Sequence, residues 1–185
     1  YNRMLERYPE MREQATFLAR CQPSRGDIPE YAKYAEDIQN VVGEINEKHA
    51  TGSWKPIELS MEDDFLLSVA AYKNYDVLLV NAVRDGMNLI AKEAVIANEK
   101  NGVLVLSENA GAHEELGEHA LTVNPFDLDE QADALHEALT MPDDERARRA
   151  EALEQTIRSN TIEEWVEAQL KDIARQLRPR SGPSL

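Results

Sequence analysis

Between two strongly apolar stretches lies Asn81-Ala82-Val83-Arg84-Asp85-Gly86-Met87-Asn88-Leu89, a polar joint whose residue types could handle a charged, hydroxyl-rich ligand. Gly86 lets a ligand approach the backbone closely. A helix starting near Asn88 would offer unpaired N–H groups and its positive dipole end to a phosphate. Asp85 stands just before that helix. A carboxylate there repels phosphate and is better suited to hydrogen-bond hydroxyls. Glu93, farther into the helix, could accept hydrogen bonds from two neighbouring ribose hydroxyls. On types and spacing alone an ordinary explanation carries equal weight: a turn through Asp85 and Gly86, an N-cap at Asn88, and a solvent-facing Glu93. No P-loop or full Gly-x-Gly-x-x-Gly stretch points to another nucleotide mode.

Other candidates carry less. His113 follows Ala110-Gly111-Ala112 and could approach the same edge, although a surface position at a helix start is the preferred reading. His49, His119 and His136 stand apart, without metal-ligand spacing. Ser107 and Glu108 end an apolar run and read equally as caps or as ligand contacts. Residues 143–149 read as a solvated helix face, and Trp165 as a packing residue of a terminal helix or across to a domain outside this sequence. Cys21 is the only cysteine; its apolar neighbours make it a buried strand residue rather than a nucleophile.

The elements that must position these residues alternate. A helical stripe over 1–11 precedes a strand over 15–21. Pro29 then opens a helix to about 49, since its absent N–H costs nothing in a first turn. Residues 56–59 are a weaker strand. Ser60 with Asp63 marks the start of a helix to about 74. The runs 76–81 and 102–107 are continuously apolar, as parallel strands buried on both faces are. A helix over about 88–99 separates them. A third run, 120–124, ends at Pro125, and helices follow over 128–139, 143–157 and 162–177. Residues 178–185 read as a frayed, disordered tail. Such alternation predicts an α/β fold with a doubly wound parallel sheet, ending in helices. Ligands then belong beyond the carboxyl ends of the strands, where residues 81–89 fall.

Composition narrows the partners. The 185 residues, 42% of them hydrophobic, suffice for one domain with a core. A formal net charge of -15 argues against nucleic acid and anionic membrane. No stretch approaches the roughly 20 apolar residues of a membrane span, and the lone cysteine fits a reducing cytoplasm. Tyr1 opens directly into a helical pattern without an initiator Met, so a fragment is expected.

Val83-Arg84-Asp85-Gly86-Met87-Asn88-Leu89-Ile90-Ala91-Lys92-Glu93 resembles the donor-site motif of the trehalose-6-phosphate synthase family. Residues 102–112 resemble the strand and loop that follow it there. The similarity continues through 120–127, 132–135 and Ala138-Leu139, and includes Pro23-Ser24-Arg25. These enzymes are retaining GT-B glycosyltransferases with two Rossmann-like domains. The resemblance covers the C-terminal, nucleotide-sugar-binding domain, expected here over 1–177, with its first strand absent.

The resemblance further implies that Asp85 is the catalytic position, holding donor-sugar hydroxyls rather than acting as a nucleophile. The backbone at Gly86, Met87, Asn88 and Leu89 would meet sugar and diphosphate, and Glu93 the ribose. The donor would be UDP-glucose or GDP-glucose. The acceptor, glucose 6-phosphate, would be held by an N-terminal domain outside this sequence. An Arg and a Lys on the diphosphate would likewise precede Tyr1. Transfer would need neither metal nor cofactor, because N–H groups and that basic pair would stabilise the departing diphosphate. Sister activities, such as glucosylglycerol-phosphate or validoxylamine phosphate synthesis, would share this donor half. A non-catalytic regulatory module is the rival of another class; intact Asp85, Gly86, Asn88 and Glu93 count against it. Nucleobase, acceptor and oligomeric state, a homo-oligomer included, stay open.

Overall fold

The computed structural model describes residues 1–22 and 27–176. Helix and strand alternate: α1 (Asn2–Arg7), a 3₁₀ turn at Pro9–Met11, β1 (Phe17–Arg20), α2 (Pro29–His49), β2 (Ile57–Ser60), α3 (Phe65–Asn74) and β3 (Val77–Val80). Then come α4 (Leu89–Ala97), β4 (Val103–Ser107), α5 (His113–Leu116) and β5 (Leu121–Val123). Helices α6 (Leu128–Thr140), α7 (Asp143–Ser159) and α8 (Ile162–Gln176) close the series. Pro9 breaks the single helix expected over 1–11, because proline removes a donor and clashes inside a helix. The four residues of α5 are too few to show a periodicity. Pro23-Ser24-Arg25 and the expected tail over 178–185 lie outside the described residues.

The core is built on β4, which is buried along its whole length. Leu104 and Leu106 pack with Ala91 and Val95 of α4 and Leu153 of α7. Val103 and Val105 pack with Ala134 and Ala138 of α6. Helices therefore cover both faces, which is why this run lacks polar alternation. Burying each of these leucine and valine side chains contributes about 1.5–3 kcal/mol.

The strands are parallel, but one continuous sheet is not what forms. β1 pairs with β2, Phe17 opposite Ile57. β3, β4 and β5 form a separate three-stranded sheet, Val77 opposite Val103 and Val105 opposite Leu121. β1 and β3 share no ladder. Between them lies a cavity of about 1150 Å³, walled by Phe17 and Ala19 of β1, Leu79 of β3, and Ile38, Val42 and Ile45 of α2. Paired strands stand about 4.8 Å apart; a gap of this volume holds β1 and β3 beyond that reach.

Several single expectations change as well. Cys21 follows β1 instead of lying buried within it. Its N–H extends the ladder to the Ser60 carbonyl at 2.9 Å, and its side chain is half-buried. The face over 143–149 is not wholly solvated. Arg146 donates to the Asp76 carbonyl at 3.0 Å, and Arg149 to the carbonyls of His119 and Ala120. Trp165 is 60% exposed, on a helix that also exposes Ile162, Leu170 and Ile173, so within the described residues it is not covered, which leaves the expected packing across to another domain. No helix among the described residues is long and apolar enough to cross a membrane.

Candidate functional site

Beyond Val80 the chain leaves β3 and enters α4 through a loop that holds itself in shape. Asn88 is the N-cap, with φ 75° and ψ 87°, and its Oδ1 accepts from the Ala91 N–H at 3.1 Å. Asparagine is among the few residues that adopt this left-handed conformation readily. Asp85 Oδ1 accepts from the Met87 N–H at 3.2 Å, and Oδ2 from Asn88 Nδ2 at 3.1 Å. The turn-forming role of Asp85 is thus present in the geometry. It does not use up the carboxylate, which is exposed and offers about four lone-pair sites.

The loop after β4 fastens this one from the side. The Asp85 N–H donates to the Asn109 carbonyl at 3.2 Å. In return the Gly111 N–H donates to the Asp85 carbonyl at 3.0 Å, and the Ala112 N–H to the Met87 carbonyl at 2.7 Å. Ser107 is fully buried. Its Oγ donates to the Ala82 carbonyl at 2.8 Å and accepts from the Asn109 N–H. Ser107, read as a cap or a ligand contact, accepts from the Asn109 N–H as a cap does and also ties the two loops together. Glu108 is exposed, and its N–H donates to the Val123 carbonyl. His113 turns away from the loop: its Nε2 lies 2.8 Å from Thr122 Oγ1 on β5.

The ligand-facing character of the loop is uneven. Gly86 has open space where a Cβ would stand, and Met87 and Leu89 are exposed. Among the described residues, the N–H groups of Gly86, Asn88, Leu89 and Ile90 find no acceptor. The Met87 N–H donates to Asp85 Oδ1 within the loop. Glu93 is exposed on α4 and faces α3. There burial pushes the Tyr72 phenol pKa up and the Glu93 charge adds to the shift.

His49 and His136 serve local packing. His49 is buried, with Nε2 2.8 Å from Asn2 Oδ1. Burial, then the charges of Arg12 and Lys48, push its pKa down. His136 stacks on Tyr8 with ring centroids 3.8 Å apart. Among the described residues, no group of three or more His, Cys, Asp or Glu side chains could hold a metal ion.

These features define an α/β protein of parallel strands, helices on both faces of its core strand, and a polar loop at the strands' carboxyl edge, where open parallel sheets hold their ligands. The chain belongs to glycosyltransferase family 20, whose model matches residues 1–175. It is 41% identical over 184 residues to the trehalose-6-phosphate synthase of Cronobacter sakazakii, covering 98% of this chain and 38% of that protein. Against the Escherichia coli K12 synthase it is 40% identical over 187 residues, covering 100% and 39%. An E. coli relative solved with bound UDP-2-fluoro glucose superposes with a TM-score of 0.87 at 40% identity, over 97% of this chain and 40% of that one. The α,α-trehalose 6-phosphate synthase of Burkholderia multivorans gives 0.85 at 35% identity, over 100% and 41%. The chain thus spans about two fifths of the length of these relatives.

Proposed function

We propose that this chain is the donor-binding part of a retaining hexosyltransferase that moves glucose from a nucleotide-glucose, UDP-glucose or GDP-glucose, to glucose 6-phosphate. One observation carries the reading. The self-braced loop of residues 85–89 presents a carboxylate and free N–H groups at the start of α4, in a chain 40% identical to a relative solved with UDP-2-fluoro glucose. In this reading the N–H groups of Gly86, Asn88 and Leu89 meet the diphosphate and the adjoining sugar, where they need no reorganisation as charge develops. Asp85 takes sugar hydroxyls on the lone pairs its loop leaves free, and Glu93 takes the ribose. Residues 1–177 act as one C-terminal domain of a GT-B fold. The cavity between β1 and β3 is then the berth of one more parallel strand, supplied from outside residues 1–185, which would join the two sheets into the doubly wound one.

Two substitutions in the full-length protein test the site. Asp85→Ala should lower sugar transfer by roughly 100-fold while leaving affinity for free UDP or GDP near normal, because neither carries the sugar. Asp85→Asn keeps an acceptor for the Met87 N–H, so it should preserve the melting temperature better than Ala yet still lose most of the transfer. Near-normal turnover in both variants, with a lower melting temperature in Asp85→Ala, would leave Asp85 as a turn residue only.

A further inference from the structure

Two glycines meet where the loops after β3 and β4 touch, and they are constrained very differently. A Cβ on Gly86 would stand in open space. A Cβ on Gly111 would lie 2.1 Å from the Gly86 carbonyl oxygen, 2.7 Å from the Gly86 carbonyl carbon and 3.1 Å from the Met87 nitrogen. All three atoms are backbone, so no side chain can swing aside. Ordinary van der Waals separation is about 3.5 Å or more, and any side chain at 111 would push the loops apart by about 1 Å. Flanking Gly111, the donated bonds to the Asp85 and Met87 carbonyls pull the same loops together, and Asp85 and Ala110 form an isolated parallel bridge.

We propose that Gly111 is a positioning residue for the nucleotide sugar: acting through the backbone of residues 85–87, it sets where the Asp85 carboxylate and the Gly86 N–H stand. The inference rests on the donor-site reading of residues 85–93. Its consequence is that donor affinity depends on a loop assigned no ligand contact. A displacement of about 1 Å at groups that orient a reacting sugar is enough to cost roughly 100-fold in rate.

The start of β4 supplies the control. A Cβ on Gly102 would lie 2.1 Å from the Tyr75 ring and 2.8 Å from the Tyr75 carbonyl oxygen, a clash of similar severity at the strand's other end. In the full-length protein, Gly111→Ala and Gly102→Ala should both lower the melting temperature. Only Gly111→Ala should weaken UDP-glucose or GDP-glucose binding to the folded protein, by roughly tenfold or more in calorimetry. Equal affinities in the two variants would overturn the proposal. Because Gly111→Ala could fail to fold, amide exchange on the unsubstituted protein gives a second readout. Adding the nucleotide sugar should slow exchange at Gly111 and Ala112 together with residues 85–89. A response confined to 85–89 would remove Gly111 from the site while sparing the donor reading. No response at either loop with either nucleotide sugar would overturn both.

Discussion

The loop of residues 81–89 and the gap between β1 and β3 meet at Asn81, which lines the gap, yet they differ in kind. The loop has chemistry without depth: an exposed carboxylate, free N–H groups and an open Gly86, with Asn88 half-buried. The gap has depth with a mixed lining, about 1150 Å³ walled by apolar residues of β1, β3 and α2 but bordered by Arg3, Asp37, Asn81, Asn124 and Gln131. Polar groups converge where a ligand must be recognised, whereas apolar walls between unpaired strand edges ask for more backbone.

A buried charge would break the comparison most visibly. Val42 of α2 lines the gap. If a strand fills the gap in the full-length protein, Val42→Asp leaves an unpaired carboxylate in an apolar core and should cost about 3–5 kcal/mol in denaturant unfolding. If the gap is open to water, the cost should stay near 0.5 kcal/mol, and the berth is refuted. At the loop the next effect should appear in binding rather than stability. Glu93→Gln should weaken UDP or GDP binding by about 1.5–3 kcal/mol, or roughly 10- to 100-fold. Calorimetry showing unchanged affinity with the fold intact would reduce Glu93 to a surface charge. The smallest effect sharpens the account of the loop itself. Asn88→Ala removes the cap at a left-handed φ of 75° and should cost about 0.5–2 kcal/mol, against a few tenths for Asn88→Gly. Equal melting curves for the two would mean that neither the cap nor the backbone conformation limits stability there.

Much of this was legible from local physics. Pro29 opens α2 as a first-turn proline should, and the two apolar runs became β3 and β4 because helices cover both faces of the core strand. The polar joint and Asn88 as its cap were readable from spacing, since a capping bond spans only three residues. The partnership of the loops was not readable. Ser107 is 25 residues from Ala82, whose carbonyl it holds, and no periodicity reports such a distance. Gly111 stood in the stretch that resembles the family, but nothing local distinguishes it from Gly86. Trp165 sits on an amphipathic helix, a pattern that announces an apolar face without naming what covers it.

The sequence by itself determined most of the longer elements, their order, the parallel pairing of the core strands and the residue types at the carboxyl edge, because each follows from periodicity, capping and burial within about ten to twenty residues. Only the tertiary structure decided three further things. β1 and β3 stay unpaired across a cavity. The Met87 N–H belongs to Asp85. The glycine under constraint is Gly111, not Gly86. Each of these depends on ångström-scale distances that folding fixes only after the elements have packed, and a steric limit of that kind leaves no pattern along the chain.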